Sequence, residues 1–219
     1  KQHLRVGLCY YYYMQESLFV SQGLFPIIVA IFSIICHEVA HGYAAYIQGD
    51  ETAYRAGRLT LNPLPHIDMV GSIIVPLVAF FTGGPLFGWA KPVPYNVYNV
   101  RGRFGEAFVA AAGVLTNFAI AFCAGLAFII FNKEGILTTG FGQALFTVIA
   151  VNVSLGVFNL IPVPPFDGIA IIQALFPRLH IKSTLIYNPF YLIGAILVAS
   201  VLYGMLAPQM FSWIISLLS

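Results

Sequence analysis

Long unbroken apolar runs separated by short polar connections dominate this chain. The first runs from about Leu24 to Gln48 and stops at Gly49 and Asp50. A second, "MVGSIIVPLVAFF", is short, holds Pro76 and closes on "TGGP". The third extends from about Ala107 to Phe131 and the fourth from about Phe141 to Leu160. The fourth breaks into "IPVPPFDG", where Pro162, Pro164 and Pro165 forbid regular helix, and a short helix "IAIIQALF" follows. A last run begins near Phe190 and reaches Ala207, and Pro208 is expected to separate it from a final segment, Met210 to Leu218. A helix crosses a bilayer with ~20 apolar residues, whereas a membrane barrel shows alternation over strands of ~10 residues. The continuous runs therefore predict an all-α polytopic membrane protein with about four to six transmembrane helices, a re-entrant segment and a broken helix.

Three stretches follow from this pattern. Residues 1–23 form an N-terminal extension, residues 24–180 a membrane-embedded core, and residues 181–219 one or more C-terminal transmembrane segments. Within the extension, "KQHLRVGLCYYYY" precedes Met14, a candidate start, and carries no functional weight. The connection after Asp50 contains a possible short strand over 58–61, and "LFGWAKPVPYNVYNVRGRFGE" reads as a Pro-, Gly- and Asn-rich loop.

Composition agrees. Hydrophobic residues make up 59% and charged residues 8%, against about 25% charged in soluble domains; mean hydropathy is +0.87. A net charge of +2 with no basic stripe argues against a nucleic-acid partner. The three cysteines, Cys9, Cys36 and Cys123, are too scattered to imply a disulfide framework.

Against that background "CHEVAHGY" stands out in the first run. His37 and His41 are i and i+4 on a helix, one face, so both imidazoles can reach one metal. Glu38 is offset by about 100° around the axis, beside such a metal rather than on it, where a base acting on water belongs. Ionisable groups at mid-bilayer cost ~2.5–3.5 kcal/mol each on insertion scales and need a partner. One zinc ion per chain answers that need; the alternative is a His/Glu cluster that satisfies itself. A catalytic zinc usually takes three protein ligands. His66, Asp68 and Asp167 are the remaining candidates at depth, and Asp167, after the proline-broken end of the fourth run, is the best of them. His66 and Asp68 read as loop capping or as partners orienting the zinc histidines. Asn117, Asn152 and Asn159 place side-chain amides in apolar helices, where each needs a partner. An amide N–H can serve a developing oxyanion or simply bond a neighbouring helix.

H-E-x-x-H in an apolar helix, followed by "AAGVLTN" and "NLIPVPPFDG", resembles the site-2 protease family of intramembrane zinc metalloproteases, in its compact prokaryotic form without a PDZ domain. The resemblance covers roughly residues 24–180, including "GWAKPVPYN". It implies that His37, His41 and Asp167 bind Zn2+ and that Glu38 activates water. It further implies that Asn159 sits near the substrate carbonyl and that Asn117 is the central-helix asparagine, both assigned to substrate or oxyanion. The family's Gly-Pro is here Gly113-Val114, a departure that bears on Asn117 and not on the metal site. The implied reaction is hydrolysis of peptide bonds in a transmembrane protein substrate within the lipid bilayer. A membrane metal transporter or metal-binding sensor is the rival.

The chemistry also constrains topology. For Asp167 to reach His37 and His41, the first and fourth runs should point the same way, with an odd number of crossings between them. A second run that enters and returns satisfies this; one that spans does not. With a re-entrant second run, Arg55, Arg58, Lys91, Arg101, Arg103, Arg178 and Lys182 share one side, and Lys133, with Lys1 and Arg5, the other. That asymmetry predicts a multi-pass cell-membrane protein with its site toward the cytoplasm. Substrate identity and oligomeric state are not encoded in any motif found.

Overall fold

The computed structural model describes residues 24–82, 88–102, 104–176 and 189–218. Residues 1–23, the Gly83-Gly84 pair, Arg103 and the connection carrying Arg178 and Lys182 lie outside the described residues.

Helix α1 is Leu24–Ile47 and α2 the single turn Thr52–Arg55. A π-helical stretch, Met69–Ile74, leads into α3, Val75–Thr82. Helix α4 is Gly105–Lys133, α5 Thr139–Asn159, α6 Asp167–Leu175 and α7 Pro189–Leu218. Among the described residues there is no strand. Among the described residues four helices, α1, α4, α5 and α7, are long and apolar enough to cross a membrane, the lower end of the expected range.

Helix α4 is the spine. Its buried residues include Gly105, Val109, Gly113, Asn117, Ala121, Ala124 and Phe128, a stripe at helical spacing. Small residues along such a stripe let helix backbones approach closely where lipid supplies no hydrophobic drive between helices.

Contacts fix the directions. Ser33 and His41 of α1 and Gln48 just past it meet Asn117, Val109 and Gly105 of α4, so the two run antiparallel. Phe131 meets Phe141 and Asn117 meets Asn152, so α4 and α5 are antiparallel. Helices α1 and α5 therefore point the same way, as the ligand argument required. Helix α7 returns beside α5: Ser154 bonds Tyr203, while Ile149 clusters with Ile214 and Leu218.

The segment before α4 does not cross. The side-chain amide of Gln48, just past α1, donates to the Gly105 carbonyl at the start of α4, so the chain leaves and returns at one end of the bundle. Met69–Ile74 and α3 together rise only about 21 Å at ~1.5 Å per residue, short of the ~30 Å hydrocarbon core. Trp89 then comes back against the start of the same segment. Its N–H donates to the Gly71 carbonyl at 3.2 Å and its carbonyl accepts from Ser72 Oγ at 2.9 Å.

Two local expectations are corrected. Residues 58–61 form no strand: the Arg58 N–H turns back to the Ala53 carbonyl, and no strand among the described residues offers a ladder. Pro208 does not divide the last helix; α7 is continuous through it. A proline deletes one N–H, and an apolar helix whose other bonds stay internal tolerates that loss.

Helix α1 gives way to a turn at Gly49, whose φ of +103° suits a residue without Cβ. The chain then reaches Asp50, which is fully buried. Its carboxylate accepts from Thr52 Oγ1 at 2.6 Å, Asn96 N at 2.8 Å and Asn99 Nδ2 at 3.0 Å. Burial raises this carboxyl's pKa, but hydrogen bonds from Thr52, Asn99 and Asn96 outweigh it and hold the group below its ordinary 3.8. Asp50 thereby pins residues 88–96, an extended strap that lies across the second half of α1.

Candidate active site

His37 and His41 share the face of α1 that meets α4, and both are buried. Their rings stand at 88° with centroids 4.5 Å apart. They come this close to α4 because position 113 is glycine. A Cβ there would lie 2.5 Å from His41 Nε2 and 2.6 Å from His37 Cε1.

The outer ring nitrogens are both used. His41 Nδ1 donates to the Val109 carbonyl at 2.7 Å, and His37 Nδ1 donates to Asn117 Oδ1 at 2.7 Å. Both partners are oxygens that can only accept, so in the neutral imidazoles both Nε2 atoms carry lone pairs. Those two Nε2 atoms face each other at 2.9 Å. Asp167 Oδ2 lies 3.1 Å from the first and 3.3 Å from the second.

Asp167 arrives from across the bundle. Helix α5 ends at Asn159, the proline-rich turn reverses the chain, and Asp167 is the first residue of α6. Gly168 allows the reversal, since a Cβ there would collide with the Leu160 carbonyl. Asp167 Oδ2 is buried and accepts no hydrogen bond.

With both imidazoles neutral, three lone-pair atoms thus converge. Such a group is repulsive unless a cation sits among its members. A tetrahedral zinc with bonds of ~2.0–2.1 Å separates its ligand atoms by about 3.3 Å, close to the spacing observed. Among the described residues this is the one group of three His, Cys, Asp or Glu side chains whose ligand atoms converge. The donor set fits a divalent metal of the zinc type.

Glu38 occupies the neighbouring face, beneath the strap. Its Oε2 accepts from the Val93 N–H at 2.7 Å. The Val93 side chain lies over Gly42, one turn further along α1. Tyr95, also on the strap, has its phenol pushed up to about 12, first by burial and then by the Glu106 and Asp167 carboxylates. It stays a neutral donor at any physiological pH.

The remaining candidates separate. Asn117 does not face a substrate: it is fully buried behind His37, with Oδ1 on His37 and Nδ2 on Asn152 Oδ1 at 3.1 Å. The expected oxyanion role finds no free N–H, because both polar atoms of its amide are already hydrogen-bonded. Asn159 is half-buried at the turn, and its Nδ2 donates to the Leu155 carbonyl at 3.0 Å. His66 is buried and its Nε2 donates to the Thr60 carbonyl at 2.9 Å; Asp68 caps Met69–Ile74 by accepting from Val70 and Gly71 N–H groups. Neither can orient His37 or His41, whose outer nitrogens are taken. Gly113, the Val109 carbonyl and the Val93 N–H escaped the sequence reading. Only the Val109–Gly113–Asn117 spacing of four hinted at a common face.

Comparison with known proteins gives the family. A family model described as "Peptidase family M50" matches residues 128–201. The chain is 38% identical over 172 residues to "Putative zinc metalloprotease YwhC" of Bacillus subtilis, covering 75% of each chain. It is 28% identical over 190 residues to "Putative zinc metalloprotease MJ0611" of Methanocaldococcus jannaschii, covering 83% of this chain and 84% of that one. It is 26% identical over 204 residues to "Putative zinc metalloprotease Rip2" of Mycolicibacterium smegmatis, covering 89% and 72% respectively. No solved structure matches. With four membrane-length helices around the site and these relatives, the chain is a multi-pass membrane protein that belongs to peptidase family M50, the site-2 protease family of zinc metalloproteases.

Proposed function

We propose that the protein is an intramembrane zinc endopeptidase that hydrolyses peptide bonds of transmembrane substrates within or near the bilayer. The observation that carries this reading is the meeting of His37 Nε2, His41 Nε2 and Asp167 Oδ2 as three unshared lone pairs. A zinc ion held there would supply Lewis acidity, lowering the pKa of water and polarising a substrate carbonyl.

Everything else falls to the chain's own residues. Glu38 takes the proton from the attacking water at one carboxylate oxygen while the Val93 N–H holds the other, Oε2, in place. Glu38 then delivers that proton to the leaving nitrogen. Asn159 contributes its amide N–H to the developing oxyanion after letting go of the Leu155 carbonyl. Asn117 keeps His37 in its Nδ1–H form, and Val109 does the same for His41. A helical substrate must unwind locally, since its carbonyls are otherwise spent on its own hydrogen bonds.

Positive charge supports a site near the cytoplasmic face. Arg55, Arg58, Lys91 and Arg101 lie between α1 and α4 at the end of the bundle nearest Glu38, and Lys133 lies at the other end.

The test compares purified wild type with Glu38→Gln and Asp167→Ala for zinc content and for cleavage of single-span substrates. Glu38→Gln should keep zinc and lose cleavage; Asp167→Ala should lose both. A Glu38→Gln protein that still cleaves would sink the reading, and one that still moves metal across vesicles would favour the transporter.

A further inference from the structure

We infer that Asn152, which touches neither the zinc ligands nor any reacting atom, is a positioning residue that fixes the tautomer of His37 through a hydrogen-bonded chain of set polarity. The inference rests on the reading of His37 as a metal ligand.

An asparagine amide has two orientations of nearly equal shape, and Asn117 stands where that choice matters. As observed, Oδ1 faces His37 Nδ1 at 2.7 Å, so Nδ1 carries the proton and Nε2 is free to ligate. Reversed, the NH₂ would face Nδ1 and require a lone pair there. The imidazole proton would then move to Nε2, directly between His41 Nε2 at 2.9 Å and Asp167 Oδ2 at 3.1 Å. A proton would occupy the position that a metal bond needs.

The far side of Asn117 decides between the two. Its Nδ2 meets the Ser33 carbonyl only at 3.5 Å, the outer limit of a hydrogen bond, and Asn152 Oδ1 at 3.1 Å. Asn152 is therefore the stronger determinant. It could itself reverse, were its own Nδ2 not held by the Val148 carbonyl, one turn back on α5, at 2.9 Å. A helix carbonyl can only accept, and its direction is fixed by the helix. From that carbonyl each link donates toward the previous one: Asn152 to Val148, Asn117 to Asn152, His37 to Asn117. Both asparagines are fully buried, so no water can step in to satisfy a reversed amide. Chains of this kind reinforce their own polarity at low dielectric. The orientation of a backbone group on α5 is thus carried across α4 to Nε2 on α1.

A purely structural Asn152 would affect stability and nothing else, which separates the two roles. The experiment uses the full chain in detergent with ¹⁵N-labelled histidine, metal-free for the tautomer and with zinc added against a competing chelator for affinity. Wild type should show the His37 pattern of an Nδ1–H ring. Asn152→Leu should show a mixture of tautomers and bind zinc about tenfold more weakly, the lower end of the range for outer-layer partners of a metal site. Asn152→Asp should restore both. In apolar surroundings its acid stays neutral, with an O–H for Val148 and a carbonyl for Asn117. If Asn152→Leu does not fold, Asn152→Thr carries the same test, since its hydroxyl keeps the bond one turn back but is too short to reach Asn117. A folded Leu or Thr variant with wild-type tautomer and affinity overturns the inference. Failure of the wild type to bind zinc would instead sink the metalloprotease reading.

Discussion

Gly113→Ala isolates the most sensitive contact in the site. The added Cβ would stand 2.5 Å from His41 Nε2, 2.6 Å from His37 Cε1 and 2.7 Å from His37 Nε2, where ordinary contact begins at 3.4 Å. Something must yield by about 0.9 Å, and metal sites tolerate deviations of only ~0.2 Å. Helix α4 cannot simply withdraw, because Gly105, Val109 and Asn117 hold the same face of it to α1. The fold itself should suffer little. Alanine gains ~0.8–1.0 kcal/mol over glycine in a helix, against ~1–3 kcal/mol for overpacking. Zinc affinity should fall at least ~100-fold, the upper end for removing an outer-layer partner, since here the ligands themselves move. The control is Gly125→Ala on the same helix, whose Cβ would find only Leu218 Cδ2 at 3.7 Å. Zinc per chain by mass spectrometry, chelator competition, and melting in detergent with excess chelator together separate folding from metal binding. Wild-type zinc affinity in Gly113→Ala would refute the steric reasoning, as would equal losses in both variants.

Other outcomes follow from the same geometry. Chelation of wild type should lower its melting temperature, and zinc at ~100 times its Kd should restore ~2.7 kcal/mol by mass action; Asp167→Ala should not respond. Asn159→Ala should leave zinc content unchanged and reduce turnover ~10²-fold, measured on a single-span substrate, and unchanged turnover would remove it from the oxyanion role. Asp50 has a folded pKa below its unfolded value of 3.8, so the stability it contributes is present above that value and is lost as pH falls through the folded pKa. Asp50→Asn should therefore be less stable than wild type at neutral pH by ~1.5–3 kcal/mol, and the gap should narrow in acid below the ordinary value. Parallel acid melting curves would show that Asp50 contributes nothing through its charge.

What could be read in advance was what repeats or what is forbidden. Helical spacing joined His37 to His41, and the proline run announced the break before Asp167. Mid-membrane chemistry required an odd number of crossings between them. The structure satisfies that parity through the Gln48–Gly105 contact and the return of Trp89 to Gly71. Pro208 was misread because a missing N–H looks decisive in a sequence, yet a span needs only that its other bonds remain internal. Asn117 was assigned by motif to substrate, but an amide's role depends on which of its two ends meets which neighbour, and no residue pattern states that.

The distinction matters most for the path from Val148 to His37. Residue types can be conserved in kind along such a path and still fail if one amide turns over, since oxygen and NH₂ occupy nearly the same space. The only member that cannot turn is the backbone carbonyl, and it is invisible in any sequence. A metal site in the membrane therefore depends on more than its ligands and their spacing. It needs an acceptor of fixed direction somewhere behind each histidine: for His41 the Val109 carbonyl supplies this at once. For His37 it is supplied at two removes, through Asn117 and Asn152. This asymmetry predicts that His37 is the more easily disarmed ligand, because its chain can be broken without touching α1 or the metal. Replacing Asn117 by leucine should accordingly lower zinc affinity ~10–100-fold, while no side-chain substitution at Val109 that preserves the packing should do so. A conservative Val109→Ile that cost as much zinc as Asn117→Leu would show that packing, not proton direction, governs the site.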